Sequence, residues 1–285
     1  MVKTIGNPLS WTAEALSGTG NHLADATSRI VGSRSAAPPV IRTLTMEDIR
    51  ISLRAGVDDF LALRSDVVFI AVLYPIIGLV MATFAFNGDL AHHIFPLASG
   101  FALIGPIGAI GLYELSRRRE LGLDPKWSDA FALLRSPALG PILALGAILL
   151  AIFVVWMLAA HLVFVLTMGD MLRINAMDFT TQVLTTPGGW AMVLIGIPVG
   201  FVFAAIVLTI SVVSFPLLLD RDVGVRVAVM TSVNLTRRNP RVIGAWGVVV
   251  ATGLLIGSLP LFLGLIIVMP ILGHATWHLY RRAIG

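Results

Sequence analysis

Six long apolar runs divide this chain, and nineteen of its twenty Lys and Arg residues fall on every second connection between them. The runs cover residues 67–86, 94–115, 138–168, 188–219, 242–259 and 261–280. A helix needs about 20 residues to cross a hydrocarbon core of about 30 Å, and only helices or closed barrels satisfy their backbone inside lipid. The expected fold is therefore all-α: a polytopic membrane protein of six transmembrane helices, arranged as three hairpin repeats with cytoplasmic amphipathic helices. Composition agrees. The chain is 57% hydrophobic and 13% charged, against about 25% charged for a soluble domain.

The distribution of basic residues sets the orientation. Seven precede the first run, five lie in 116–137, five in 220–241 and two in 281–285. Between them, 87–93 holds none, 169–187 holds only Arg173, and the turn near Pro260 holds none. Positive residues stay on the cytoplasmic side, so both termini are expected in the cytoplasm. The formal net charge of +4 follows from this flanking and gives no nucleic-acid surface, because the basic residues are not interleaved with aromatics in one polar domain. Residues 1–44, polar and ending near Ala36-Ala37-Pro38-Pro39, read as a disordered cytoplasmic tail. The membrane domain is expected over 45–285. The third and fourth runs exceed a single span and are expected to tilt or to extend beyond the bilayer. The last two form a tight hairpin turning at Gly257-Ser258-Leu259-Pro260, with a re-entrant hairpin as the alternative.

The segments leading into the runs repeat. Asp58-Asp59-Phe60-Leu61-Ala62-Leu63-Arg64-Ser65-Asp66 stands before the first, and Asp129-Ala130-Phe131-Ala132-Leu133-Leu134-Arg135-Ser136-Pro137 before the third. A weaker relative ends in Thr236-Arg237-Arg238-Asn239-Pro240 before the fifth. The exits match too: Pro106 to Arg118 has the spacing of Pro270 to Arg282, with Phe215-Pro216 to Asp222 between them. Three units follow, each a cytoplasmic lead-in and a two-helix hairpin, burying their faces against one another. In the first lead-in Thr45 and Asp48 stand in capping-box positions. Met46, Ile49, Leu53, Val57 and Phe60 share one helical face. Such a helix lies at the interface or docks on the cytoplasmic face of the bundle.

Little chemistry is signalled. The chain has no Cys, which excludes thiolate metal sites, iron–sulfur clusters and a Cys nucleophile. His92 and His93 in the first outer connection, with His161 near the outer end of the third run, are weak candidates for a metal site, but their spacing is no metal signature. His274 and His278 share a helix face and are placed at the cytoplasmic interface, with Trp277 and Tyr280 as an aromatic belt. Glu114, the one carboxylate inside a run, is expected to pair with Arg117 and Arg118. Gly196-xxx-Gly200 and Gly253-xxx-Gly257 read as close helix contacts. Catalytic motifs such as HExxH, a P-loop or GxSxG are missing, so no catalytic residue and no cofactor is assigned.

The order of three stretches resembles the bacterial integral membrane family known as domain of unknown function 2189. They are Ile49-Arg50 with Gly56-Val57-Asp58-Asp59-Phe60, then Gly105-Pro106-Ile107-Gly108 with Leu112-Tyr113-Glu114-Leu115-Ser116-Arg117-Arg118, and Phe215-Pro216-Leu217-Leu218-Leu219-Asp220-Arg221-Asp222-Val223. The resemblance runs from about residue 40 to the end, implies an integral membrane fold, and carries no functional residues across. The expected role is non-enzymatic: interaction, assembly or envelope maintenance. The partners expected are the lipid bilayer and a membrane or cytoplasmic protein contacted through the amphipathic segments. A channel or carrier for a small solute is the alternative, and a lipid-active enzyme comes third.

Overall fold

The computed structural model describes residues 39–63, 83, 93, 96–97, 106, 109–126, 128–130, 136–169, 176–260 and 263–285. All of the first apolar run except Thr83 and most of the second lie outside these residues, as does the tail before residue 39. Nine helices are described: α1 (Met46–Ala62), α2 (Ile110–Glu120), α3 (Leu139–Met168), α4 (Ala176–Thr185), α5 (Pro187–Ser211), α6 (Ser214–Asp220), α7 (Gly224–Arg238), α8 (Pro240–Ser258) and α9 (Leu265–Ala283). The all-helical expectation holds for the described residues. Three of their helices are long and apolar enough to cross a membrane: α3, the α5–α6 stretch, and α8.

Each element starts and stops for local reasons. The backbone N–H and hydroxyl of Thr45 both donate to Asp48 Oδ2 at 2.7 Å, capping α1. α3 runs for 30 residues, about 45 Å as a straight helix, and ends at Gly169, whose φ of 68° is left-handed. The fourth apolar run is broken at Val212–Val213 into α5 and α6. Ser211 bonds back to the Val207 carbonyl and Ser214 to the Ile210 carbonyl, a pattern that bends helices. Ser214 also reaches the Ala228 carbonyl of α7 at 3.1 Å. The bend thus folds α6 back against α7 and takes up the extra length of that run.

The packed core sits at one end of the molecule. The fully buried large side chains come from the first half of α3, α6, α7, the first half of α8 and the second half of α9. We call this end the base. At the other end α3 and α5 expose Leu158, Leu162, Leu166, Leu194, Ile197 and Phe201, a continuous apolar surface of the kind that faces lipid. α3 and α5 pair along their length. A Cβ on Gly200 would lie 3.1 Å from the Trp156 ring, and one on Gly188 would lie 2.5 Å from the Thr167 carbonyl. Gly253 and Gly257 likewise meet Val268 and Leu265 across the α8–α9 hairpin. The close-contact reading holds for Gly200, Gly253 and Gly257, whereas Gly196 meets only Val163 at an ordinary 3.8 Å.

α1 docks lengthwise on α9, but not on the face its apolar pattern suggests. Its buried residues are Asp48, Ile49, Ser52, Gly56 and Asp59, whereas Met46, Val57 and Leu61 are exposed. The cause is Gly56. A Cβ there would stand 2.7 Å from the Ile271 carbonyl and the Ala275 amide, so two backbones touch along a stripe of small and polar residues. Residues 39–44, read from sequence as the end of the tail, continue this contact. Ile41 pairs with Ile284, the Arg42 amide donates to the Ala283 carbonyl at 2.9 Å, and the Leu44 amide donates to Asn239 Oδ1 at 2.7 Å.

Candidate functional site

The densest polar constellation among the described residues lies where α1, α2 and α9 meet in the base. Asp59 comes from the last turn of α1. Ser116 and Arg119 are one turn apart on α2, and His274 and His278 one turn apart on α9, so each helix presents its pair on a single face. The Ser116 hydroxyl donates to Asp59 Oδ2 at 2.6 Å. His278 Nε2 lies 2.9 Å from the same oxygen, and Arg119 pairs with Oδ1. His274 Nδ1 stands 2.7 Å from the Ser116 oxygen and 3.9 Å from Asp59 Oδ2. A hydroxyl carries one proton. With that proton directed to Asp59, the Ser116 oxygen accepts an N–H from Nδ1 of His274, a tautomer assigned from the network.

Burial strongly constrains this group. Asp59 is 3% exposed and His274 is fully buried. Burial alone pushes the Asp59 carboxyl up, but hydrogen bonds from His278 and Ser116, the His278 charge and the Arg119 bond outweigh it and hold the pKa down at about 2. The carboxylate is therefore charged at neutral pH, with a donor from each neighbouring helix satisfying it. Ser, His and Asp together invite a nucleophilic reading, but the connectivity is not that of a triad. There the histidine lies between hydroxyl and carboxylate; here Asp59 accepts the Ser116 hydrogen bond directly. The arrangement suits holding three helices together.

Two further polar groups flank it. Asp48 pairs with Arg282; burial raises its pKa, and the Thr45 and Arg282 contacts bring it below the usual carboxylate range. On the other side, the Trp277 indole donates to Glu120 Oε2 at 3.0 Å, Arg281 Nε donates to Glu120 Oε1 at 2.9 Å, and the Tyr280 hydroxyl donates to Asp220 Oδ2 at 2.6 Å. Glu120, Asp220, Trp277 and Arg281 line an open cleft of about 310 Å³ together with Arg117 and Leu121.

The residues singled out from sequence fall as follows. Glu114 is buried and pairs with Arg117 at 2.9 Å and Arg118 at 2.8 Å, as its spacing implies. His274, Trp277 and Tyr280 are not an interfacial belt: all three are buried in the base, because α1, α2 and α6 cover that part of α9. His93 and His161 stand edge to face with ring centroids 5.7 Å apart, and His161 also meets Phe164 at 6.5 Å. His92 lies outside the described residues. Among the described residues no three His, Asp or Glu side chains form a group that could hold a metal ion. Asp59 and Ser116, the centre of the network, were not singled out as site residues. Their signal was the Asp58-Asp59 pair and the Leu115-Ser116-Arg117 exit in the repeated motifs.

No curated protein and no solved structure matches the chain. A family model does, and it spans α2 to α6 together with both the Gly105–Arg118 and Phe215–Asp220 stretches. Over residues 94–220 the chain matches the family described as "Predicted integral membrane protein (DUF2189)", the family its motifs resemble.

Proposed function

We propose that this is a non-enzymatic membrane protein of the bacterial inner membrane, with an assembly or envelope-maintenance role exercised through its cytoplasmic base. One observation carries the reading. Asp59, Ser116, Arg119 and His278 are engaged with one another across α1, α2 and α9, so their chemistry is used to hold a shaped, charged platform. In this reading the six apolar runs form three hairpin units that enter and leave from the cytoplasm. Supporting that arrangement, the exits of the three units converge: Glu120 after the first, Asp220 at the second and Arg281 at the third sit in one ion-pair cluster. Nineteen of the twenty basic residues then lie inside. The test is co-purification at native expression in mild detergent. A specific, stoichiometric partner is expected; recovery of the lone protein contradicts the reading.

A small-solute carrier is the second reading, favoured by Pro198 inside α5 and Pro270 inside α9, since broken helices can build substrate sites. Solute flux in liposomes above that of empty liposomes would support it.

A further inference from the structure

The α8–α9 hairpin is shorter than the helices beside it. Gly247 of α8 packs on Leu208 of α5, where a Cβ would lie 2.6 Å from Leu208 Cδ2, so these two residues mark one level. From that level α5 continues twenty residues to Gly188, about 30 Å of helix, where it packs on the end of α3. α8 continues only eleven residues to Ser258, about 16 Å. Tilting the hairpin would only reduce its depth.

The base carries the Asp59–His278 network and the exposed Arg50–Glu47 pair of α1, which hydrocarbon does not accommodate. Above it the exposed surface turns apolar on both elements: Ile206, Val202 and Phe201 on α5, and Val248, Leu255 and Ile256 on α8. The turn of the hairpin is apolar as well. Residues 258–264 read Ser-Leu-Pro-Leu-Phe-Leu-Gly, and Leu259 and Leu263 are 75% and 60% exposed. The connection between α3 and α5 is different in kind, carrying Asp170, Arg173, Asn175 and Asp178. Two hydrogen bonds flank the turn among the described residues. The Leu263 amide bonds the Pro260 carbonyl at 3.0 Å, and the Ser258 hydroxyl bonds the Leu254 carbonyl at 2.7 Å. Backbone at membrane depth requires such satisfaction.

We infer that α8 and α9 form a half-depth hairpin. It enters from the cytoplasm, turns at Leu259–Leu263 near the bilayer midplane, and contacts the acyl chains of the cytoplasmic leaflet. Its partner is lipid hydrocarbon, and the outer leaflet closes over the turn. The inference uses the cytoplasmic placement of the base that the proposed function also uses.

The absence of Cys makes the test direct. Single nitroxide labels on Leu259→Cys, Ile197→Cys and Leu184→Cys, in the full chain reconstituted in phosphatidylethanolamine/phosphatidylglycerol liposomes, report depth. Collision with oxygen and with a water-soluble nickel chelate is read against spin-labelled lipids of known depth. The Leu259 label is expected at the depth of the Ile197 label, with nickel access several-fold below that of Leu184. A Leu259 label at headgroup depth, with nickel access equal to Leu184, overturns the half-depth hairpin in favour of a full span. Leu184 separately checks that the α3–α5 connection lies in water, so a failed orientation and a failed depth give different results.

Discussion

Asp59 is the residue on which the base turns. Its pKa is held at about 2, below an ordinary value of 3.8. A depressed carboxylate contributes stability that is fully present above about pH 4 and is lost as pH falls through about 2, on the order of 2 kcal/mol for this shift. Thermal unfolding in detergent should therefore drop between pH 4 and pH 2. In Asp59→Asn that drop should shrink to the part Asp48 supplies, and stability at pH 7 should fall by about 2 kcal/mol. An unchanged acid limb in Asp59→Asn would contradict the network. Ser52 predicts the opposite sign. Its hydroxyl is fully buried and, among the described residues, has no hydrogen-bond partner, so Ser52→Ala should leave stability unchanged or raise it by about 1 kcal/mol. The contrast with Glu114 shows what sequence can reveal at this scale. Glu114 has its partners three and four residues away, within reach of helix spacing. Asp59 has its partners 57 and 219 positions away, and no local rule joins them.

At the scale of elements, α1 shows how a helix can be legible while its orientation is not. Its length and its Thr45–Asp48 cap follow from sequence. Its apolar count picks Met46 and Val57 as buried, yet both are exposed. The partner surface on α9 is backbone at Ile271 and Ala275, which rewards the absence of a side chain, and hydrophobic periodicity does not register that. Gly56→Val should separate the two helices and cost about 3 kcal/mol by overpacking. Val57→Thr, on the exposed side, should stay within about 0.5 kcal/mol. Equal thermal stability for both variants would refute the docking face. The break at Val212–Val213 was hidden for a related reason: both flanking segments are apolar, and the serines that bend the chain carry no charge to mark it.

At the scale of the molecule, the apolar runs anticipated helices long enough to cross a membrane, α3, the α5–α6 stretch and α8 among the described residues, because membrane insertion reads composition directly. Where the core sits was less visible. α9 joins an apolar first half to a second half that buries His274, Trp277 and Tyr280, and a hydropathy window averages the two. The central claim is that the base, with the Asp59 network inside it, lies on the cytoplasmic side. The most direct measurement places single cysteines at Leu123, in the exposed loop after α2, and at Leu184 on α4, and treats intact cells with a membrane-impermeant maleimide. Labelling of Leu184→Cys in intact cells, with Leu123→Cys labelled only after permeabilisation, is the predicted result. Labelling of Leu123→Cys in intact cells would contradict it.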